Sequence, residues 1–180
     1  MEDLRLYIEQ LSIVTKLTHY KRKTILLREG EQSDKVFIIK DGALRSWFND
    51  DGNDITFQFF FEGDVVSSFE SLKNNLPSLY NIETITPVTL QLISKKALYL
   101  ALEKNPILNE KINLHITKRL YHYQQLFISR IKNSPQRRYE ELLQQQPEIF
   151  TRVPHHYIAT FLGITPVSLS RIRAKKNIAS

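Results

Sequence analysis

Residues 154–174 read PHHYIATFLGITPVSLSRIRA, and this stretch decides how the C-terminal part of the chain folds. It predicts two short helices joined by a tight turn at Gly163, because a residue without Cβ adopts a positive φ at no steric cost. The apolar side chains that close the pair recur at helical spacing: Ile158, Leu162, Ile164, Leu169 and Ile172. Thr165 is placed to cap the second helix, and Pro166 stands at its first position. This pattern is that of a helix-turn-helix.

The second helix of such a motif is the one that enters the major groove of double-stranded DNA. We expect Arg171 and Ser168 at base edges and the later cations nearer the phosphates. The predicted DNA-contacting residues are Thr165, Val167, Ser168, Arg171, Arg173, Lys175 and Lys176. The alternative for the same pattern is a plain helical hairpin inside a core.

Positive charge is concentrated in the part of the chain that holds this motif. Residues 115–180 contain eleven lysines and arginines against three glutamates, a net charge of +8. The rest of the chain carries −2, which gives the overall +6. Because attraction to phosphates requires cations on the DNA-binding part, this distribution favours the DNA-binding interpretation.

The composition excludes several classes of protein. The chain has 180 residues and no cysteine, so disulfides and cysteine-ligated zinc or iron–sulfur sites are excluded. Its first residues, MEDLR, are acidic and lack the apolar run of a signal peptide, and no run is long enough to span a membrane. We therefore predict a soluble cytoplasmic protein without a membrane partner.

Between about residues 18 and 93, short runs of β-branched and aromatic residues are separated by turn signals. The predicted strands are 24–27, 36–39, 44–48, 55–61, 80–86 and 88–93. Asp-Gly pairs between alternating strands are typical of hairpins, and many short strands at regular spacing predict an antiparallel barrel or jelly roll. The polar stretch 65–79 is expected to be a solvent-facing loop.

Helical spacing returns later and predicts one long helix over about 106–131. Its apolar stripe steps by three or four residues, nearly as in a coiled-coil seam: Leu108, Ile112, Ile116, Leu120, Tyr123, Phe127 and Ile131. A helix this long extends past a small barrel, so a second copy of the chain is the simplest partner for its distal half. We predict a homodimer whose interface contains Ile112, Ile116, Leu120, Tyr123 and Phe127. Ser134-Pro135 then starts a new helix, which predicts domains at 1–132 and 133–180.

An enzyme is the least favoured class. Four of the five histidines lie in predicted helices and cannot line a barrel together, and no Gly-x-Ser-x-Gly occurs. We predict no catalytic residues, no metal site and no cofactor.

The order of these elements resembles the cyclic-AMP receptor / fumarate-nitrate regulator (Crp/Fnr) family of bacterial transcription factors. The resemblance rests on LREGE at 27–31, VFIIKDG at 36–42 and FEGD at 61–64, followed by the long helix and the basic helix-turn-helix. It implies an α+β fold with an N-terminal antiparallel β-roll like a cyclic-nucleotide-binding jelly roll, a dimerisation helix and a C-terminal helix-turn-helix. It also implies a homodimer on a nearly palindromic operator, with RNA polymerase as a further partner. The chain stops at Ser180, so a full wing after the recognition helix is not expected.

The residues that hold cyclic AMP in members of that family are not matched here. By resemblance, the ribose-binding Gly-Glu falls on Ser67-Ser68, and the phosphate-binding Arg-Ser falls on Ser78-Leu79. The candidate effector pocket is Ser67, Ser68, Ser78, Leu79 and Tyr80, and we expect it not to bind cyclic AMP with useful affinity. Either the sensor domain is ligand-free, its pocket filled by side chains such as Phe69, Leu72 and Tyr80, or it binds a different effector.

One further expectation follows from the resemblance. The family's base-reading positions fall on Pro166 and Val167, and Val167 offers only methyl contacts, for example to thymine.

The alternative function for the whole chain is a small-ligand or cyclic-nucleotide-binding module that signals through protein contacts.

Overall fold

A computed structural model describes residues 4–11, 13 and 16–178, with side chains described as far as Ala174. Its helices are α1 (Leu4–Gln10), α2 (Phe69–Asn74), α3 (Lys95–Lys104), α4 (Pro106–Lys132), α5 (Pro135–Gln145), α6 (Ile149–Arg152), α7 (His155–Leu162) and α8 (Pro166–Ile178). Its strands are β1 (Lys16–Tyr20), β2 (Ile25–Leu27), β3 (Lys35–Asp41), β4 (Leu44–Asp50), β5 (Asn53–Phe60), β6 (Val65–Val66), β7 (Asn81–Thr84) and β8 (Val88–Ser94). The predicted α+β class is confirmed.

The strands form two four-stranded sheets, in the orders β1-β8-β3-β6 and β2-β7-β4-β5. Their inward-facing residues form one apolar cluster drawn from both sheets: Leu27, Phe37, Ile39, Leu44, Phe60, Val66, Ile82, Val88 and Leu90. Gly42 turns the chain between β3 and β4 with φ +95°, and a Cβ there would lie 2.4 Å from the carbonyl oxygen of Pro87. The predicted antiparallel β-roll is therefore present.

A second apolar cluster covers the other face of β3 and β8. It is formed by α1, α2, α3 and the start of α4 together with these strands: Leu4, Ile8, Val36, Ile38, Leu72, Ile93, Leu98 and Leu108. The hydroxyl of Tyr7 donates to Oδ1 of Asn105 at 3.0 Å, which ties α1 to the start of α4.

A buried ion pair lies on the outward face of the second sheet. Arg45 on β4 and Glu83 on β7 are register partners, and the guanidinium bonds to Oε2 of Glu83 at 2.6 and 2.7 Å. The guanidinium carbon also lies 4.7 Å from the ring centre of Trp47. Arg45 is only 1% exposed, so this pair is shielded from solvent.

The chain divides into two compact units. One comprises Met1–Phe48 and Phe59–Arg119, and the other comprises Asn49–Gln58 and Leu120–Ser180. The second unit therefore includes the tip of the β4–β5 hairpin beside the C-terminal helices. In it the main-chain N–H of Thr56 donates to Oγ1 of Thr160 at 3.2 Å, and the hydroxyl of Tyr123 donates to Oε1 of Gln58. The domain boundary predicted after residue 132 remains a prediction.

Candidate DNA-binding surface and effector pocket

The turn between α7 and α8 is built around Gly163. This residue ends α7 with φ +67° and donates its N–H to the carbonyl oxygens of Ala159 and Thr160. The guanidinium of Arg130 lies directly against it, so an added Cβ would approach Nη2 of Arg130 to 2.6 Å. The backbone conformation with positive φ favours glycine, and the predicted turn is confirmed.

A small apolar core holds the two helices together. Ile158, Ala159, Leu162 and Leu169 are buried, as the sequence pattern predicts, whereas Ile164 and Ile172 are half-buried. The preceding helices contribute further buried residues to the same unit: Tyr139, Leu142, Ile149 and Val153. The core residues therefore leave the outer face of α8 to solvent.

The start of α8 is capped as predicted, but the cap involves a residue that we expected at the DNA. Oγ1 of Thr165 accepts the main-chain N–H of Ser168 at 3.1 Å. The two hydroxyl oxygens are also 3.0 Å apart, within hydrogen-bond distance. Ser168 is half-buried, and its predicted place at a base edge remains a prediction.

Among the residues whose side chains are described, α8 exposes Pro166 and a strip of four further residues on one helix face, called here the exposed strip. Val167, Ser170, Arg171 and Ala174 are all exposed and follow one another at steps of three, one and three residues. Ser170 was missed by sequence reasoning, although its position three residues after Val167 places it on the same face. The strip is the solvent-exposed face of α8 among the residues whose side chains are described.

The positions of the remaining predicted DNA-contacting residues differ from one another. Thr165 is exposed, and Arg173 is half-buried with its Nη1 3.3 Å from Nδ1 of His155, so this guanidinium joins α8 to the start of α7. Lys175 and Lys176 belong to the backbone of α8, but their side chains lie outside the described residues.

Several cations of the basic segment serve the structure of the α4–α5 junction. Nη1 and Nε of Arg138 donate to the carbonyl oxygens of Asn133 at 2.7 Å and Leu162 at 3.1 Å, and so cap the ends of α4 and α7. Burial, followed by the neighbouring charge of Arg130, lowers the pKa of Arg138. The guanidinium of Arg138 is therefore engaged within the structure.

Glu141 is the acidic centre of the same junction. Its carboxylate accepts hydrogen bonds from Ser129 Oγ and Asn133 Nδ2, both at 2.8 Å, and pairs with Arg137 Nε at 3.4 Å. The hydrogen bond from Ser129 is the main cause that lowers the pKa of Glu141. Because the group is ionised at neutral pH, the junction between α4 and α5 is held by charge-assisted bonds.

The predicted pocket residues of the β-roll lie close together, but they bind one another. Ser68 and Ser78 are each 2% exposed, and their Oγ atoms are 3.0 Å apart. Ser78 Oγ also lies 2.8 Å from the carbonyl oxygen of Tyr80, whose own hydroxyl donates to the carbonyl oxygen of Ser67 at 3.4 Å. Leu79 differs from the other four because it points outward and is 71% exposed.

The stretch 65–79 is therefore not the solvent-facing loop that its polar sequence predicted. It holds β6 and α2, and of its four serines Ser68, Ser71 and Ser78 are buried while Ser67 is half-buried. Their hydroxyls find partners inside the protein, which removes the cost of burying them. The expected filling residues are also separated, since Leu72 joins the second apolar cluster and Phe69 is exposed.

Helix α4 has two apolar faces, which divide the predicted dimer residues. Leu108 and Ile112 pack on the second apolar cluster, and Ile116 and Tyr123 are half-buried. The exposed apolar residues form another face: Ile107, Leu114, Leu120, Tyr121, Phe127, Ile128 and Ile131. Of the five residues predicted at the interface, only Leu120 and Phe127 belong to this exposed face.

Neither a metal site nor a membrane-spanning helix is found in the described part of the chain. No group of three or more histidine, aspartate and glutamate side chains there could hold a metal ion. No helix among these residues has the length and apolar character needed to cross a membrane.

Comparison with known proteins identifies the fold. Residues 17–105 match the family model of the cyclic nucleotide-binding domain. FixK2 from Bradyrhizobium japonicum is similar with a TM-score of 0.79 and 19% identity, over 92% of this chain and 86% of FixK2. A protein of the Crp/Fnr family from Eubacterium rectale gives a TM-score of 0.75 and 19% identity, over 95% and 82% of the two chains. The chain has the Crp/Fnr fold.

The c-di-GMP-responsive global regulator CLP of Xanthomonas campestris shares this Crp/Fnr fold, with a TM-score of 0.77 and 17% identity over 98% of this chain and 93% of CLP. No curated protein sequence matches the chain. The predicted resemblance to the Crp/Fnr family is confirmed by the β-roll, by the domain match and by the order of elements. In this chain, Ser68 and Ser78 occupy the positions where the resemblance places the ribose and phosphate contacts, and they are hydrogen-bonded to each other.

Proposed function

We propose that this chain is a sequence-specific DNA-binding transcriptional regulator that acts as a homodimer. The exposed strip of α8 supports the proposal most directly. It presents a cation on Arg171, a hydroxyl on Ser170 and methyl groups on Val167, on a helix that is positioned by the turn at Gly163. The Crp/Fnr fold of the chain agrees with it. No catalytic role is proposed.

The exposed face of α4 is the proposed dimer interface. Ile107, Leu114, Tyr121 and Ile128 recur every seven residues, and Leu120 and Phe127 precede the last two by one position. A seven-residue repeat of exposed apolar residues is the pattern with which helices of two chains pack side by side. A dimer joined in this way carries two copies of α8, which requires two half-sites in the operator.

The β-roll of the proposed regulator does not use cyclic AMP. A cyclic phosphate needs a fixed cation, and Ser78 supplies none at the position where the resemblance places an arginine. The bond between Ser68 and Ser78 occupies both hydroxyls, so a nucleotide would have to replace it. The domain is either ligand-free or specific for a less charged effector, and RNA polymerase is the further partner through which DNA binding would act on transcription.

The proposed function is tested by selecting bound duplexes from a random DNA pool, followed by electrophoretic shift of the selected sequence. We expect an inverted repeat that is shifted by a protein dimer, with an affinity that falls as salt rises. A protein that shifts no duplex at low salt would contradict DNA binding. It would favour the second candidate, a ligand-binding module, for which the match to the cyclic nucleotide-binding domain is the supporting observation.

A further inference from the structure

The first turn of α8 has an unusual chemical character for a helix that reads DNA. Pro166 carries no donor or acceptor in its side chain, and Val167, which is 60% exposed, presents only methyl groups. The one hydroxyl of this turn, on Ser168, lies in the cap with Thr165. Beyond the capping residue, the side chains that the turn presents to solvent are therefore apolar.

Base edges in the major groove offer one apolar group to such a surface. Guanine, adenine and cytosine present hydrogen-bonding atoms, whereas thymine adds a C5-methyl group that packs against aliphatic side chains. Arg171 lies one helical turn after Val167 on the same exposed face and carries the fork of donors suited to guanine O6 and N7. The strip therefore combines a methyl-reading position with a guanine-reading position about one turn apart.

From this arrangement we infer that Val167 reads the C5-methyl group of a thymine in each operator half-site. The inference rests on the proposed DNA-binding function and specifies what it recognises. Ser170, between the two readers, adds a short hydroxyl that accepts or donates and so discriminates little on its own. The preferred half-site thus holds a thymine and a guanine, with the thymine selected through its methyl group.

The test removes the methyl group from the DNA and from the protein separately. In the selected operator each thymine is replaced in turn by deoxyuridine, which keeps all hydrogen-bonding atoms of thymine and lacks only the C5-methyl group. For the unmodified protein, one position should lose about fourfold in affinity per half-site, the value of roughly one buried methyl group. For Val167→Ala the same replacement should have little effect, and Val167→Thr, which keeps one γ-methyl group, should lie between.

Replacement of thymines outside the half-sites is the matched DNA control and should leave the affinity unchanged. An operator whose deoxyuridine series is flat, or whose sensitive position stays equally sensitive in Val167→Ala, overturns the inference while DNA binding stands. A chain that selects no duplex at all overturns the proposed function, and the inference with it.

Discussion

The helix-turn-helix and the β-roll place their polar side chains in opposite ways. Arg171 and Ser170 stay in solvent on α8, where a partner can reach them. In the β-roll, Ser68 and Ser78 are buried and bond to each other, and Arg45 is neutralised by Glu83. The comparison teaches that the polar side chains of α8 are available to a partner, whereas those of the β-roll are already bonded to one another. The family resemblance, in contrast, implies a binding site in both parts of the chain.

The largest expected effect concerns the exposed face of α4. Replacing Leu120 and Phe127 by Glu places charges on that face, so the dimer should dissociate and operator affinity should fall by on the order of 10²–10⁴ through loss of two-site binding. Light scattering and electrophoretic shift measure the two consequences. Gln144→Glu, which adds a charge at an exposed position of α5 outside the proposed interface, is the control. A double variant that remains dimeric would remove the proposed interface.

The next effect distinguishes an exposed arginine from the rest of the basic segment. Arg171→Ala should cost about 1–3 kcal/mol of operator binding and relax the preference for one base pair. Lys176→Ala should instead mainly lower the salt dependence of binding, because we expect Lys176 nearer the phosphates than the base edges. Titration of the selected operator and of a scrambled duplex at several salt concentrations separates the two. Equal behaviour of both variants on both duplexes would argue against direct reading by α8.

A smaller effect is expected at Glu141, whose pKa is lowered in the folded chain mainly by Ser129. A depressed folded pKa adds stability that is present above the pKa of the unfolded chain and is lost as pH falls through the lowered value. The free energy of unfolding of the unmodified protein should therefore exceed that of Glu141→Gln at neutral pH, and the two should converge on acidification. Urea titrations across this range measure the difference, and parallel curves would show that the carboxylate adds no pH-dependent stability.

For cyclic nucleotides we expect no measurable binding, which is the smallest effect of the series. Calorimetric titration with cyclic AMP and cyclic GMP should give no heat above dilution, since the hydroxyls of Ser68 and Ser78 are already paired and no arginine stands at Ser78. A micromolar dissociation constant for either nucleotide would show that the β-roll is an open sensor, and the contrast with α8 would disappear.

Local signals predicted the parts of the fold that depend on neighbouring residues. Gly163, Thr165 and Pro166 identify their turn and helix start because each of these residue types has a specific backbone role. Asp-Gly before β5 likewise predicts a hairpin, and Asp51 and Gly52 have positive φ values there. The structure agrees with these predictions to within a few residues.

Features that depend on distant contacts were not predicted. Strand β1 is short and carries Lys16 and His19, so it lacks a strand-like apolar pattern and is defined by its pairing with β8. Helix α2 lies in a serine-rich stretch that is polar by composition, and only tertiary hydrogen bonds explain its buried hydroxyls. The division of α4 into two apolar faces also escaped prediction, since Ile112 and Phe127 look alike until the β-roll covers one of them.

The pair of Arg45 and Glu83 has a consequence for how such a chain diverges. Loss of either partner would leave a buried charge without compensation, which is strongly destabilising, whereas replacement of both by apolar residues of similar volume is often tolerated. Single substitutions at either position would therefore be removed by selection. In relatives of this chain, positions 45 and 83 should change together or remain as they are.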